Sequence, residues 1–500
     1  MRKKRRTAGV LMPVYALPGS GGIGTLGKSA YEFVDWMQKA GLKIWQILPL
    51  LPLSYGNSPY QAIVSNGLNA YYVDPDTLKR KGLLKNGDYA ERDFGTDKRR
   101  VNYGALFENR IKVLKKAFSR FDRTSADWLE FLSRGEYADF ALFMTLKEKF
   151  GYAEWTKWGK YSVYNAAEIK KFSCENREEL EFWQFTQYEF LLEWNALKDY
   201  AHARGIEIMG DMPIYLAFDS LESWKYGKKL FMLDEDNRLK LVAGVPPDAF
   251  SADGQLWGNP VYDWEKMRKN HYSWWRKRIK DALKLYDIVR IDHFRGLDRF
   301  YAVPFGADSA RNGEWLDGPK KELFAGMKNK KIVAEDLGVI DEGVLRLMQD
   351  TGYPGMRVLQ FGFDYDAANI HKPSNYKENC FAYTGTHDNE PIAAFIEKIL
   401  AENPALFEYV FNSECSVAGV KRKGKSIKKT AKTAVELLIS SRAYAAIVPF
   451  ADFIGEGIKA RINHPSVLSD DNWSYRFLRS EITDALAADV RAMLEKYDRL

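Results

Sequence analysis

Short apolar runs rich in branched residues recur along the chain, and segments with the period of an α-helix separate them. The runs lack the clean alternation of strands with one solvated face, so they are typical of strands buried on both faces of a parallel sheet. Strands alternating with helices indicate an α/β fold, and eight such strands predict a (β/α)8 TIM barrel. The eight predicted strands cover residues 9–14, 43–49, 207–213, 287–294, 332–338, 356–362, 380–388 and 445–454.

Two of the intervening helices have recognisable ends. In the segment 29–40, Ser29 and Glu32 have the spacing of a capping box, and Gly41 follows as a stop signal. The aromatic segment 176–203 also has helical periodicity.

Two connections are too long for plain crossovers. They follow strands 2 and 3, so they lie at the carboxyl ends of the strands, where the active sites of such barrels are found. We expect mainly helical insertions there that wall a cleft, with a helical subdomain at about 66–175 and a loop region at about 214–286 that contains the string 244–264. Residues 1–500 would otherwise form a single barrel domain.

Composition excludes several classes of protein. The chain is 46% apolar and 28% charged, as is usual for a globular protein. The most apolar short run, 45–53, contains two prolines and is too short to span a membrane. A net charge of +7 over 500 residues is too dilute to indicate nucleic-acid binding. The basic run 421–432 contains no aromatic residue, which favours a solvated face.

The cysteines and the first residues both favour a cytoplasmic protein. Cys174, Cys380 and Cys415 are far apart and match neither a disulfide framework nor a zinc motif. The chain begins MRKKRR before a fairly apolar segment, but Pro13 interrupts that segment. We therefore expect a solvated basic arm rather than a secretion signal.

Carboxylates stand at the ends of four predicted strands. Arg290 and Asp292 are two residues apart, so both side chains should face the barrel interior. Charged side chains are rarely buried without a partner or a function, so we expect these groups to converge on one pocket. The four carboxylates are Asp211, Asp292, Glu335 and Asp388.

Such a set of carboxylates suits cleavage of a glycosidic bond. One carboxyl group must protonate the leaving oxygen, while another attacks or stabilises the sugar carbon. Arg290 should lower the pKa of Asp292 and keep it ionised as a nucleophile. Desolvation and the neighbouring Asp336 should raise the pKa of Glu335, which suits a general acid.

The chain resembles the amylomaltases, bacterial disproportionating 4-alpha-glucanotransferases related to the alpha-amylases. The resemblance spans nearly the whole length and is carried by specific strings. These are GIGTLG (22–27), GNSPYQ (56–61), GDMPIY (210–215), AGVPPDAFSADGQLWGNPVYDW (243–264), RIDHFRG (290–296), AEDLG (334–338), GTHDN (385–389) and RINHP (461–465).

The resemblance implies transfer of 1,4-alpha-glucan segments to the 4-hydroxyl of an acceptor glucan or glucose, by a retaining double displacement. Asp292 would be the nucleophile, Glu335 the general acid and base, and Asp388 the carboxylate that grips ring hydroxyls. Neither a metal nor a cofactor is implied, and malto-oligosaccharides would be donor and acceptor. The implied substrate-binding residues are Tyr60, Asp211, Asp248, Gln255, Trp257, Arg290, His293, His387 and Asn463.

The sequence also departs from the family pattern. Thr25 and Asn102 stand where aspartate is common, and Ser466 replaces a common glycine. The stretch 62–75 replaces a serine-rich segment of small residues. None of these departures removes a predicted catalytic carboxylate, but they leave the preferred chain length of the substrate open.

Four alternatives remain. An alpha-glucan hydrolase would use the same carboxylates and form the same intermediate. Water and a sugar hydroxyl compete for that intermediate, and only a closed, dry acceptor site favours transfer. A non-catalytic malto-oligosaccharide-binding protein would retain the barrel. The string GSGGIG (19–24) matches a dinucleotide-binding pattern weakly. Asp292–His293 and His387–Asp388 could bind a metal in a metal-dependent hydrolase.

Overall fold

The computed structural model describes residues 5–54, 56–247, 252–328 and 330–500. Twelve strands lie in this part of the chain. They are β1 (Thr7–Leu11), β2 (Ile44–Gln46), β3 (Glu207–Met212), β4 (Leu241–Val245), β5 (Gln255–Pro260), β6 (Ile288–Ile291), β7 (Arg299–Pro304), β8 (Glu314–Asp317), β9 (Ile332–Ala334), β10 (Gly355–Val358), β11 (Cys380–Tyr383) and β12 (Ala445–Pro449).

Helices connect and surround these strands. The first eight are α1 (Lys28–Ala40), α2 (Pro75–Arg80), α3 (Asn86–Tyr89), α4 (Tyr103–Phe118), α5 (Ala126–Arg134), α6 (Ala138–Lys149), α7 (Ala166–Glu175) and α8 (Arg177–His202). The others are α9 (Leu221–Tyr226), α10 (Trp264–Arg268), α11 (Ser273–Leu285), α12 (Glu342–Thr351), α13 (Ile392–Glu402), α14 (Pro404–Ala418), α15 (Ile427–Ser440), α16 (Phe450–Ile454) and α17 (Asp484–Lys496). None of the described helices is long and apolar enough to cross a membrane.

Eight parallel strands form the barrel, in the order β10-β11-β12-β1-β2-β3-β6-β9. The two ends of this sheet meet where the Ala334 N–H donates a hydrogen bond of 2.9 Å to the Pro354 carbonyl. Each of the eight predicted runs overlaps one of these strands, although β1 and β10 begin before their predicted runs, so the predicted (β/α)8 barrel is confirmed. The predicted strands at 380–388 and 445–454 are too long, because β11 gives way to a loop after Tyr383 and β12 leads directly into α16.

Side chains on the two faces of the barrel strands form separate clusters. The inward side chains pack in the barrel interior, and the outward ones pack against the surrounding helices. On β6, Ile288 belongs to the inner cluster, whereas Val289 and Ile291 belong to the outer one. This arrangement explains why the strands read as continuous apolar runs. The inner cluster contains Leu11, Ile44, Met209, Ile288, Val333, Met356, Val358, Phe381, Tyr383, Ala445 and Ile447.

The ends of the two predicted helices differ from expectation in one respect. Helix α1 begins after Gly27, which has no side chain to cap it, so the predicted capping box of Ser29 and Glu32 is wrong. Its end at Gly41 is confirmed, since this residue adopts the left-handed conformation at φ 80°. Helix α8 covers nearly all of the predicted segment.

The long connections contain more β-structure than expected. Helices α2–α7 occupy residues 66–175, whereas 214–286 contains α9, β4, β5, α10 and α11. Strands β4 and β5 pair with two strands from the connection after β6, in an antiparallel sheet of order β5-β4-β7-β8. The string 243–264 is therefore largely a β-hairpin rather than an irregular loop.

Two sequence patterns have structural explanations. In the string GSGGIG, a Cβ on Gly24 would lie 1.9 Å from the Val14 carbonyl oxygen, so close backbone packing requires this glycine. In the basic run 421–432, Lys423 and Lys432 pair with acidic side chains of α15 and α17.

Candidate active site

The barrel interior changes from apolar to polar toward the carboxyl ends of its strands. Met209, Ile288 and Val333 belong to the inner apolar cluster. Because side chains alternate along a strand, the next inward positions lie two residues further on. Those positions carry Asp211, Arg290 and Glu335, and Asp292 follows Arg290 on the same side.

Arg290 is the centre of this polar layer. Its side chain is only 3% exposed. One of its terminal nitrogens lies 2.6 Å from Asp211 Oδ2, and the other lies 3.1 Å from Asp292 Oδ1. Its Nε faces the Met356 sulfur at 3.3 Å. One guanidinium therefore contacts two carboxylates, Asp211 on the neighbouring strand β3 and Asp292 just after its own strand β6.

A turn at His293 joins Asp292 to Glu335. His293 has a φ of 47°, which is uncommon for a residue other than glycine. Its backbone N–H donates a hydrogen bond of 2.7 Å to Glu335 Oε2, and the Leu337 N–H donates one of 2.9 Å to Oε1. Both Glu335 oxygens are thus held by the backbone, which fixes the direction of this carboxyl group.

The electrostatics agree with one expectation and correct another. Burial raises the pKa of Glu335 to about 7, although Arg290 and the two backbone N–H groups lower it. Asp336 adds to the increase, as expected. Burial also raises the pKa of Asp292 well above its usual range, so the prediction that Arg290 keeps this pKa low is wrong. Burial is the largest cause, and the lowering by Arg290 does not offset it, because Arg290 also pairs with Asp211 and both Asp211 and Glu335 oppose the ionisation of Asp292.

Tyr60 connects the loop after β2 to this network. Its hydroxyl donates a hydrogen bond of 2.6 Å to Asp211 Oδ2. Its ring stacks on the His387 ring, with centroids 4.9 Å apart and an angle of 10° between the planes. Trp473 lies against both rings, with centroids 5.7 Å from Tyr60 and 5.9 Å from His387. These three side chains form an aromatic wall beside Asp211.

Asp388 lies on the loop after β11, and its side chain is 45% exposed. Asn463 Nδ2 donates a hydrogen bond of 2.6 Å to Asp388 Oδ1. Arg461 donates to the Asp388 carbonyl at 2.9 Å and pairs with Glu390 at 3.0 Å. The segment after α16 thus holds both the side chain and the backbone of Asp388.

The β4–β5 hairpin contributes Trp257 and Gln255. The Trp257 ring meets the His293 ring edge to face, with centroids 4.8 Å apart. The Trp257 indole N–H donates a hydrogen bond of 3.2 Å to the Gln255 side chain. Gln61 donates one of 3.2 Å to the Trp257 carbonyl and so ties the hairpin to the loop that carries Tyr60. Asp248 lies outside the described residues.

Several residues of the site were not predicted from the sequence. Arg461 belongs to the quoted string RINHP, so the string held a signal for it. Gln61 belongs to GNSPYQ, but nothing indicated that its amide reaches the hairpin. Trp473 lies in a polar segment without any recognisable motif. Among the described residues, no three His, Cys, Asp or Glu side chains are grouped so as to hold a metal ion.

The fold and the site together define a class of enzyme. Several carboxyl groups surround one buried arginine at the carboxyl end of a parallel (β/α)8 barrel, where barrel enzymes have their active sites. Carboxyl groups with aromatic walls beside them are the chemistry that cleavage of glycosidic bonds needs. The class is therefore that of barrel enzymes acting on carbohydrates.

Comparison with known proteins gives the family. A family model described as 4-alpha-glucanotransferase matches residues 12–481. The 4-alpha-glucanotransferase of Clostridium butyricum is 42% identical over 98% of this chain and 100% of its own, and that of Thermus thermophilus is 36% identical over 99% of both. A solved amylomaltase from Streptococcus agalactiae, in complex with acarbose, superimposes with a TM-score of 0.93 at 36% identity, covering 99% of this chain and 100% of its own. The chain belongs to the 4-alpha-glucanotransferase family, and it is a transferase of 4-alpha-glucan segments.

Proposed function

We propose that Asp292 is the nucleophile and Glu335 the general acid and base of the transfer reaction, with Asp388 holding sugar hydroxyls. One observation carries this assignment. Strands β6 and β9 are paired with Ile291 opposite Ala334, so Asp292 and Glu335 are the next residues on two neighbouring strands. Neighbouring strands lie about 4.8 Å apart. A retaining enzyme needs its two carboxyl groups about 5–5.5 Å apart, which this placement favours.

The reaction proceeds in two displacements. The Glu335 carboxyl gives its proton to the glycosidic oxygen while a carboxylate oxygen of Asp292 attacks the anomeric carbon. The bond from that carbon to the leaving oxygen breaks, and a glucosyl ester forms on Asp292. In the second step Glu335 takes the proton from the 4-hydroxyl of an acceptor, whose oxygen attacks the anomeric carbon and releases Asp292.

The first step needs one proton, and the neighbours of Asp292 and Glu335 determine which of these two carboxyl groups carries it. Arg290 lies 3.1 Å from Asp292 and partly offsets the rise in the Asp292 pKa that burial and the neighbouring carboxyl groups cause. The pair therefore holds a shared proton, and we assign it to Glu335, which has a pKa of about 7 and no such contact within 4.0 Å in the described part of the chain. In this way two nearby carboxyl groups take different roles.

Malto-oligosaccharides are the proposed donors and acceptors. The aromatic wall of Tyr60, His387 and Trp473 supplies apolar faces against which a sugar ring can pack. Burial lowers the pKa of His293 to about 3, so this imidazole is neutral and can hydrogen-bond a hydroxyl. The related Streptococcus agalactiae amylomaltase was solved with acarbose, and we expect this chain to bind that compound at the mouth of its barrel.

The β4–β5 hairpin is proposed to favour transfer over hydrolysis by covering the acceptor side. Trp257 lies directly against His293, the residue next to the proposed nucleophile. A large apolar side chain at this position limits the access of water to the intermediate. Asp248, which belongs to the string 243–264 and lies outside the described residues, is proposed to bind the acceptor because of the family resemblance.

The enzyme is proposed to act in the cytoplasm. Cys174 is exposed, Cys380 and Cys415 are buried, and all three are free thiols. Free thiols are typical of proteins in a reducing compartment.

The test of the substrate assignment is incubation of the purified protein with maltotriose alone, followed by separation of the products by length. Glucose together with maltotetraose, maltopentaose and longer chains is expected. Formation of glucose and maltose without longer products would contradict the proposed covering of the acceptor side. No reaction with either maltotriose or maltoheptaose would contradict the choice of substrates.

The roles of the carboxyl groups are tested by Asp292→Asn and Glu335→Gln. Each variant should lower kcat by several orders of magnitude, because one of the two displacements loses its nucleophile or its proton donor. Circular dichroism should show an unchanged fold. Glu322→Gln, on an exposed side chain that contacts Arg268 and Tyr272 rather than a residue of this site, is the matched control and should keep the wild-type rate. Near-wild-type turnover in either active-site variant would overturn its role.

A further inference from the structure

A short loop carries two of the residues proposed to contact the sugar. Strand β11 ends at Tyr383 and helix α13 begins at Ile392, so the loop comprises residues 384–391. His387 and Asp388 lie in its middle. The position of both side chains therefore depends on how the two ends of the loop are held.

One buried carboxylate outside the loop contacts both ends. Asp452 lies in α16, directly after β12, and is 2% exposed. It accepts a hydrogen bond from the Thr384 hydroxyl at the start of the loop. Its other oxygen accepts one of 2.8 Å from the Ile392 N–H at the end of the loop. We propose that Asp452 is a positioning residue, which fixes Asp388 and His387 against the substrate by holding both ends of their loop.

The Ile392 contact also completes helix α13. The residue at the N-cap is Pro391, whose side chain has no hydrogen-bond acceptor. The first N–H groups of a helix need such an acceptor, and the helix N-terminus attracts negative charge. Asp452 therefore acts as an N-cap supplied from a different part of the chain.

Further contacts hold the middle of the loop, among them those of Arg461 with the Asp388 carbonyl and with Glu390, but they do not reach its two ends. Asn389 accepts hydrogen bonds from the backbone and the hydroxyl of Thr386, at 2.9 and 3.0 Å. Gln360 donates one of 2.8 Å to the Glu390 carbonyl. Loss of Asp452 would leave the buried Ile392 N–H without its acceptor, and burying an unpaired polar group is costly. The ends of the loop would then shift to find another partner.

The inference rests on the proposed role of Asp388, whose grip on sugar hydroxyls is needed in the transition state. Misplacement of a catalytic group by about 1 Å can cost roughly 100-fold in rate. We therefore expect Asp452→Ala to lower kcat about 10- to 100-fold and to change KM less than about 3-fold. Asp452→Asn keeps one acceptor oxygen for Ile392 and a donor for Thr384, so it should retain kcat within about 3-fold.

A matched control separates positioning from general stability. Glu414, in α14, is also buried and also accepts one backbone N–H and one hydroxyl, both from Ser374. Glu414→Ala should lower the temperature of thermal unfolding but leave kcat within about 2-fold. If Glu414→Ala lowers kcat as much as Asp452→Ala does, the effect is one of stability and the proposal is wrong.

A double-mutant cycle tests whether Asp452 acts through Asp388. Asp388→Asn alone should lower kcat strongly, and adding Asp452→Ala should lower the residual rate less than about 3-fold further. Full additivity of the two effects would overturn the positioning role. A normal rate in Asp388→Asn would instead refute the role of Asp388 itself.

A second variant covers the case in which Asp452→Ala does not fold. Thr384→Val removes one of the two end contacts and conserves the shape of the side chain. It should lower kcat in the same direction and by less than Asp452→Ala, with KM nearly unchanged. An unchanged kcat in folded Thr384→Val would overturn the claim that the first end of the loop is held for catalysis.

Discussion

At the scale of single residues, the chemistry of the site depends on how one cation is shared. Arg290 lies 2.6 Å from Asp211 and 3.1 Å from Asp292. Glu335 instead accepts hydrogen bonds from two backbone N–H groups. Because the two carboxyl groups have different neighbours, the pair can retain one proton near neutral pH and place it where the leaving oxygen needs it.

The pH dependence of the rate should report that proton. Burial raises the pKa of Glu335 to about 7, and the proposed first displacement needs Glu335 protonated. We expect kcat/KM for maltotriose to fall as the pH rises through about 7, by about tenfold for each further pH unit. Initial rates between pH 5 and 9 provide the measurement. A plateau that extends beyond pH 9 would show that Glu335 is not the acid, or that its pKa is not raised.

The residues of this site were predicted better than their electrostatics. Strand ends and the family resemblance were enough to place Asp292, Glu335 and Asp388 at the carboxyl ends of the barrel strands. The sequence does not show that Arg290 also pairs with Asp211, because that contact joins two strands whose residues are 79 positions apart. Burial raises the pKa of Asp292, and Asp211 and Glu335 raise it further, so this direction could not be predicted from the neighbours of Asp292 in the sequence.

At the scale of elements, a barrel strand and a hairpin place different demands on their residues. The barrel strands are packed on both faces, so each must accommodate neighbours closely. The β4–β5 hairpin instead has a partly exposed strand, β5, whose side chains alternate between the site and the solvent. We expect substitutions in the barrel strands to change stability and substitutions in the β4–β5 hairpin to change the product distribution.

Strand β3 contains a glycine for a packing reason. A Cβ on Gly210 would lie 2.2 Å from the Tyr286 ring. Gly210→Ala should therefore lower the free energy of unfolding by about 1–3 kcal/mol, because the ring cannot move within a packed core. Urea denaturation provides the measurement. Gly457→Ala is the control, since that glycine has open space around its Cβ position and a φ of −93°. Equal stability of the two variants would contradict the argument.

The hairpin should control the ratio of transfer to hydrolysis. Trp257→Ala should let water reach the intermediate and lower that ratio about tenfold, equivalent to a change of about 1.4 kcal/mol between two barriers. Hydrolysis creates new reducing ends and transfer does not, so a reducing-end assay with product analysis measures the ratio. Leu256→Ala is the matched control on the same strand, because Leu256 is 42% exposed. An unchanged ratio in Trp257→Ala would exclude the proposed covering role.

The antiparallel sheet could not have been predicted from local patterns. Its strand β4 pairs with β5 in the same connection but also with β7, which follows another barrel strand. The β4–β5 hairpin contains two consecutive prolines and several glycines, which favour a loop interpretation. The antiparallel sheet forms because β4, in the connection after β3, pairs with β7, in the connection after β6, and the sequence does not show that pairing.

At the scale of the whole molecule, the barrel gathers the site from positions across most of the chain. Tyr60, Asp211 and His387 meet in one network although they are up to 327 positions apart. The order of the barrel strands accomplishes this, because parallel strands present all their carboxyl ends at one mouth. The topology was predictable from the eight apolar runs, and so was the convergence of the carboxyl groups that follow them.

Gathering carboxyl groups in a buried mouth also has a cost in stability. Because the pKa of Glu335 is about 7 in the folded protein and near 4.5 in an exposed glutamate, the folded state binds this proton more tightly. Stability is therefore lost as the pH rises from about 4.5 to about 7. Each pKa unit corresponds to about 1.4 kcal/mol, so the full effect is roughly 3 kcal/mol.

Glu335→Gln removes this titration and isolates its effect on stability. The free energy of unfolding of the variant, relative to the wild type, should increase by roughly 3 kcal/mol between pH 4.5 and pH 8. Hydrogen bonds altered by the substitution change the free energy of unfolding by the same amount at both pH values, so they do not affect that difference. Urea denaturation at several pH values measures it.

Glu436→Gln should give the opposite trend and serves as the control. Burial alone would raise the pKa of Glu436, but hydrogen bonds from Lys423, Lys496 and Tyr497 together lower it. The wild type therefore gains stability from this group as the pH rises past its folded-state pKa toward that of an exposed glutamate. The variant should lose stability relative to the wild type over that range. Parallel pH profiles for Glu335→Gln and Glu436→Gln would mean that the mouth of the barrel does not disfavour ionised carboxyl groups.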